Sequence, residues 1–168
     1  VEVFTGRVEL GQGIRTALAQ IVAEELEFEL DAVRIQTVDT GHSPNEGYTF
    51  GSVSIQLGGA ALRHAAAFLR ALIASRVADM LGVTADSVEC APGEVRAPGG
   101  QAVSYADIVA VGPLDAEVGD AAAKSVDDYA TVGRNAPRED IPAKVFAEPV
   151  FIQDFRPRGV MHARMVKP

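Results

Sequence analysis

From Ser52 to Leu81 the chain carries one long helical pattern, and this constrains the fold more than any other stretch. Leu57, Ala61, Ala65, Phe68, Leu69, Leu72, Ile73, Val77, Met80 and Leu81 keep one stripe, and Gly82 supplies the stop. At ~1.5 Å per residue such a helix is ~45 Å long. It needs a larger body to pack on than its own residues provide. Gly58, Gly59, Ala60, Ala61 and Ala65 to Ala67 leave room for another backbone to come close.

The segment before this helix reads as strand, turn, helix and strand. Val1 to Val8 is a strand and turn with Val1, Val3 and Thr5 on one face. A helix starts near Ile14, with Ile14, Leu18, Ile21, Val22 and Leu26 at helical spacing, and Asp31 marks its end and the turn beyond. Val33 to Val38 alternates and is β-branched, which predicts a second strand. The loop from Asp39 to Gly51 is rich in turn formers. Beyond Gly82, short strands are expected around the Pro92-Gly93 and Pro98-Gly99-Gly100 turns. Ser104 to Asp107 caps a short helix ending near Val111, and residues 112–130 read as a linker. From Tyr129 the character changes, with Pro137, Pro142, Pro149 and Pro157 ahead of a strand-like run from Gly159 to Val166.

Composition excludes some functions. With 15 Lys and Arg against 23 Asp and Glu, the net charge is −8, the wrong sign for a nucleic-acid platform. No apolar run approaches the ~20 residues of a membrane span. The one cysteine, Cys90, is expected to pack rather than to pair or bind metal, and His42, His64 and His162 are scattered. The chain opens on Val1 inside a strand and closes on Pro168 after another, so a piece of a larger protein is expected.

Two loops carry the chemistry. Gly11-Gln12-Gly13 sits where the first strand hands over to the first helix, and it is a plain turn, a dinucleotide loop or a loop holding another cofactor. The dinucleotide fingerprint needs a third small residue where Thr16 stands, and its acid lies ~20 residues on, nearer than Asp39. Gln12, between two residues without side chains, offers two donors and an acceptor at close backbone range. The second loop is Gly51-Ser52-Val53-Ser54, where the long helix begins. Free amides, the helix dipole and two hydroxyls make it an anion seat, or else Ser52 or Ser54 is an ordinary N-cap. Glu9, Glu24 and Glu25 are expected on the solvated surface or in salt bridges, and Glu46 is a candidate for a substrate funnel.

Three blocks, "VELGQGIRTALAQIVAEEL", "VDTGHSPNEGYTFGSVSIQLGGAALR" and "REDIPAKVFAEPVFIQDFRPRGVMHARMVKP", resemble the large subunit of molybdenum hydroxylases, the xanthine dehydrogenase and aldehyde oxidase family. Their order is similar to that of isoquinoline 1-oxidoreductase beta subunits and nicotinate dehydrogenase-like proteins. The resemblance implies an α+β fold: a partial molybdopterin-binding domain over residues 1–111, and the start of an α/β hammerhead domain over 131–168. It implies a molybdopterin cofactor with molybdenum, in the cytosine dinucleotide form. By position, Leu10, Gly11 and Gln12 would line the pterin and the metal's ligands, and Gly51, Ser52, Val53 and Ser54 would hold the phosphate region. The implied reaction hydroxylates an aldehyde or N-heteroaromatic carbon with water as oxygen source. Catalysis would use a glutamate base outside these residues, so this stretch alone would be inactive. Implied partners are the remainder of the large subunit and a small iron–sulfur subunit, because no cysteine set here can ligate such clusters. A non-catalytic assembly module of the same fold is the alternative, and the compartment is left open between cytoplasm and periplasm.

Overall fold

The computed structural model describes residues 1–148 and 151–167, in two compact units, Val1–Pro137 and Arg138–Pro168. The first unit opens with β1 (Glu2–Val3), crosses over through α1 (Ile14–Leu26) and returns to β2 (Arg34–Ile35). The two strands are parallel, with Glu2 opposite Arg34 and Val3 opposite Ile35. Both are shorter than the sequence predicts. After Val3 the chain turns away, and by Thr5 and Gly6 it bonds to Glu46 instead, so among the described residues the ladder ends with the Gln36 N–H donated to the Val3 carbonyl. The helix start holds at Ile14, but α1 ends at Leu26 rather than near Asp31, because Glu27 takes a left-handed conformation (φ 56°) and donates its N–H to the Ala23 carbonyl.

The long helix is also present. A π-helical turn, Ser54–Gly59, runs without a break into α2 (Ala60–Leu81), which Gly82 closes at φ 68°. Its buried face differs from the expected stripe. Gly58, Gly59, Ala66, Ala67, Ile73, Val77 and Ala78 are buried, whereas Leu57 and Met80 lie exposed. A π turn holds more residues per turn than an α turn, so it rotates Leu57 out of line with the face that α2 presents. Glycine and alanine then form the contact, which lets α1 and α2 pack closely.

α2 serves two cores. Its first half meets Val3, Leu18, Val22, Leu26, Val33 and Ile35 through Ala66 and Leu69. Its second half, with Ile73 and Val77, meets Val95 and Ile108, and Leu69 belongs to both clusters. The second core is roofed by an antiparallel sheet of β3 (Glu89–Ala91), β4 (Glu94–Arg96) and β5 (Ala102–Ser104), followed by α3 (Tyr105–Ala110). The Ser104 hydroxyl accepts the Asp107 N–H at 3.1 Å, the cap its position predicts. Cys90 is half-buried beside Tyr105, and burial pushes its thiol pKa up, as a packing cysteine requires.

Residues 112–130, expected as a linker, lie inside the first unit. Arg76 donates to the Gly112 and Pro113 carbonyls, Arg70 to Ala122 and Arg63 to Lys124. This segment is therefore a strap laid over the helices. By length and composition alone the run Ser54–Leu81 is apolar enough to cross a membrane, a property it shares with core helices, and this does not show a span. Its arginines serve the strap and α1.

In the second unit, within the stretch expected to open a hammerhead domain, Asp140 precedes a helical turn, α4 (Ile141–Val145). Asp140 gathers Arg138 at 2.7 Å together with Lys144, and those two cations hold its carboxyl far below the usual range. The run from Gly159 to Val166 joins no ladder among the described residues, with Met161, Met165 and Val166 almost wholly exposed. A strand exists only through a partner, and none pairs with this run. Pro149, Val150 and Pro168, which fall in the third sequence block, lie outside the described residues.

Candidate functional site

The two glycine-bearing loops meet. Leu10, Gln12, Gly13, Ile14 and Ala17 form one wall of a cleft of about 420 Å³; Thr49, Phe50, Gly51, Ser52, Ser54 and Ile55 form the other. Five of the seven sequence-selected residues thus share one cleft, while Gly11 and Val53 do not line it. The volume lies in the range of small-molecule sites. Among the described residues, no side chain lining the cleft carries a formal charge.

The first loop is held by Glu9. Its carboxylate accepts the Gly11 N–H at 2.7 Å, the Gly13 N–H at 3.0 Å and the Arg15 N–H at 3.4 Å. Gly13, the N-cap position of α1, has a left-handed backbone and no capping side chain of its own, so Glu9 does the capping. Glu9 is therefore neither free surface nor merely an ion-pair partner. The dinucleotide reading fails on the same geometry, since the amides that would face a pyrophosphate already face a carboxylate. Gly11, at φ 101°, has a conformation that glycine supplies without strain. Gln12 lies exposed, its carboxamide oxygen accepting from Leu10 N–H and its nitrogen donating to the Val8 carbonyl at 3.0 Å. One N–H of that amide group remains available to a ligand.

The second loop departs from simple capping. The residue before the helical turn is Val53, whose side chain caps nothing. Gly51 (φ 63°) and Ser52 (φ 59°) are both left-handed, and right-handed Val53 follows. The left-handed to right-handed step from Ser52 to Val53 is the kind of backbone that can turn N–H groups toward an anion, although the Val53 N–H here is donated to the Phe50 carbonyl at 3.4 Å. A non-glycine residue at positive φ is uncommon, and here it stands at the cleft wall.

Sequence reasoning missed what ties the loops together. Glu46, expected at a substrate funnel, turns inward. It accepts from Thr5 Oγ1 and Gly6 N–H, both at 2.6 Å, and from Arg7 Nε at 2.9 Å. Burial opposes its charge, but the Thr5 and Gly6 bonds and the Arg7 cation hold its pKa below the usual value. Arg7 Nη1 donates to the Tyr48 carbonyl at 3.1 Å, and Val8 N–H donates to Thr49 Oγ1 at 2.9 Å. Glycine is needed around this junction. A Cβ on Gly6 would stand 2.5 Å from the Pro44 carbonyl oxygen, and one on Gly58 would stand 2.9 Å from Arg7 and Glu46. The available signal was an arginine just past a short strand-like run, with an acid in a turn-rich loop.

Glu24 and Glu25 were expected at the surface or in salt bridges. They are ion-paired, but almost wholly buried. Glu24 accepts from Lys124 Nζ and from the amides of Ala130, Thr131 and Val132. Burial alone would raise its pKa; the Lys124 bond and the three amides outweigh it and bring the value down to about 2. Glu25 pairs with Arg63 and Arg70 and accepts the Lys124 amide.

Residues 1–149 match the molybdopterin cofactor-binding domain family, and the chain belongs to it. It is 39% identical to a nicotinate dehydrogenase subunit of Pseudomonas putida over its whole length, covering 14% of that protein. It is 28% identical to the beta subunit of isoquinoline 1-oxidoreductase from Brevundimonas diminuta, over 97% of this chain and 26% of that one. Among solved structures it resembles quinoline 2-oxidoreductase from Pseudomonas putida 86, with a TM-score of 0.55 at 25% identity. That match covers 64% of this chain and 14% of the other. The chain thus spans a small part of the relatives it matches, and those relatives are oxidoreductases by name. The cleft suits such a cofactor: glycines let backbone come close, a carboxamide (Gln12) stands on one wall, and hydroxyls (Thr49, Ser52, Ser54) stand on the other.

Proposed function

We propose that this domain supplies part of the cofactor site of a molybdenum hydroxylase large subunit, one that hydroxylates an aldehyde or N-heteroaromatic carbon with water as oxygen source. The observation that carries the reading is the single cleft shared by two loops that meet 41 residues apart, at Val8 and Thr49, in a chain of the molybdopterin-binding family. Leu10, Gly11 and Gln12 hold the pterin end, with the Gln12 amide as hydrogen-bond donor toward the metal's ligands. Gly51, Ser52, Val53 and Ser54 hold the phosphate region through backbone amides and hydroxyls. The cofactor is the cytosine dinucleotide form, and iron–sulfur clusters on a partner subunit carry electrons away. When bound, the molybdenum centre supplies the two-electron oxidation and activates water for it. The chain's own part is to bind and orient that group.

The test is made on the full-length parent protein. Molybdenum is measured by mass spectrometry and pterin by fluorescence after oxidative release, in the wild type and in Gln12→Ala. Wild type is expected to contain both, and the variant to lose cofactor or rate by tenfold or more. Unchanged metal content and rate in the variant would favour the assembly-module alternative. Active parent protein lacking both groups would refute the reading.

A further inference from the structure

We propose that Arg7 and Glu46 are positioning residues that set the gap between the two walls of the cleft. The inference rests on the cofactor reading above for its purpose, but not for its geometry. Arg7 is 5% exposed and Glu46 20%. Both carboxylate oxygens of Glu46 are engaged by consecutive residues of the first loop, Thr5, Gly6 and Arg7. The guanidinium reaches past Glu46 to the Tyr48 carbonyl, and the next residue, Val8, reaches Thr49. The contacts advance in step along both segments and stop at the edge of the cleft. From Val8 the first loop continues to Leu10 and Gln12; from Thr49 the second continues to Phe50, Gly51 and Ser52, all of which line the cleft.

A slip by one residue would break every bond of this clasp at once and move one wall along the other. The lack of space at Gly6 and Gly58 resists such a slip from both sides. An arginine suits the position because its planar fork serves two acceptors in fixed directions, which a lysine cannot do. Neither residue lines the cleft. They act through the loops, and a displacement of about 1 Å is enough to disturb a bound group's orientation.

The experiment is amide hydrogen exchange on the full-length parent, with molybdenum and pterin loss followed in parallel, for Glu46→Gln, Arg7→Met and Arg7→Lys. Glu46→Gln and Arg7→Met are expected to raise exchange tenfold or more at residues 10–14 and 51–55, with the cores of α1 and α2 unchanged. Arg7→Lys, which keeps the charge but loses the planar fork that spans Glu46 and the Tyr48 carbonyl, is expected to recover part of the loss; it is also the mild variant should Arg7→Met fail to accumulate. Cofactor release is expected to quicken in the same order. Exchange raised only at residues 5–8 and 44–49, or raised uniformly through both helices, would overturn the proposal. A wild-type parent without molybdenum and pterin would sink the cofactor reading instead, while the exchange pattern would still decide the clasp.

Discussion

Glu24→Gln tests whether the strap is latched by a buried charge. Glu24 is 3% exposed, and its carboxylate accepts from Lys124 in the strap and from three consecutive amides at and just past its end, those of Ala130, Thr131 and Val132. Its pKa falls from an ordinary 4.5 to about 2. A displacement of that size corresponds to about 3 kcal/mol favouring the latched state. Because the folded value is the depressed one, this stabilisation is complete above pH 4.5 and is lost as the pH falls toward 2. A glutamine keeps one oxygen for the amides but turns a donor toward Lys124, so most of the term should vanish at neutral pH. Local opening is read by hydrogen exchange at Ala130, Thr131 and Val132 in the parent protein. At 1.4 kcal/mol per decade, about 3 kcal/mol predicts roughly a hundredfold loss of protection in the variant at pH 7. Corrected for intrinsic exchange, wild type should lose the same protection between pH 5 and 2.5, and the variant should stay flat. A change under about threefold, or an acid dependence shared by both proteins, would refute the latch.

Two further changes probe the cleft itself. Glu9→Gln removes the charge that caps Gly11, Gly13 and Arg15 and should weaken the first turn of α1 by about 1–2 kcal/mol, seen as faster exchange confined to residues 13–18. Gly6→Ala drives a Cβ to 2.5 Å from a backbone oxygen, so the parent's melting temperature should drop by several degrees; an unchanged melt would mean that the Pro44 loop can retreat.

The helices were legible because their signals are local. Ile14, Leu18, Val22 and Leu26 repeat at the right period, Gly82 stops α2, and Ser104 caps α3. The α+β fold follows from these elements and the short sheet. The strands were overestimated because β propensity says nothing of partners: Val33 to Val38 looks extended throughout, yet β1 offers only Glu2 and Val3 to pair with. The strap escaped notice for a different reason. What fixes it is arginine bonding to carbonyl oxygens and a carboxylate bonding to amides, and backbone groups leave no mark in a sequence. Glu24 and Glu25 fell off the apolar stripe of α1, and only the coincidence of Arg63, Arg70 and Lys124 in three dimensions explains their burial. In the cleft, the choice of glycines and serines was visible, whereas the Arg7–Glu46 junction needed the fold to bring its halves together.

The absence of formal charge from the cleft lining, among the described residues, has a consequence for selectivity. A wall of lysines would draw in any passing phosphate and release it again as salt rises. Dipoles have short reach: they grip a guest only when several line up with it simultaneously. A pocket built this way is expected to ignore millimolar buffer anions and nucleotides that match it in charge but not in outline. Its occupancy should then vary little with ionic strength.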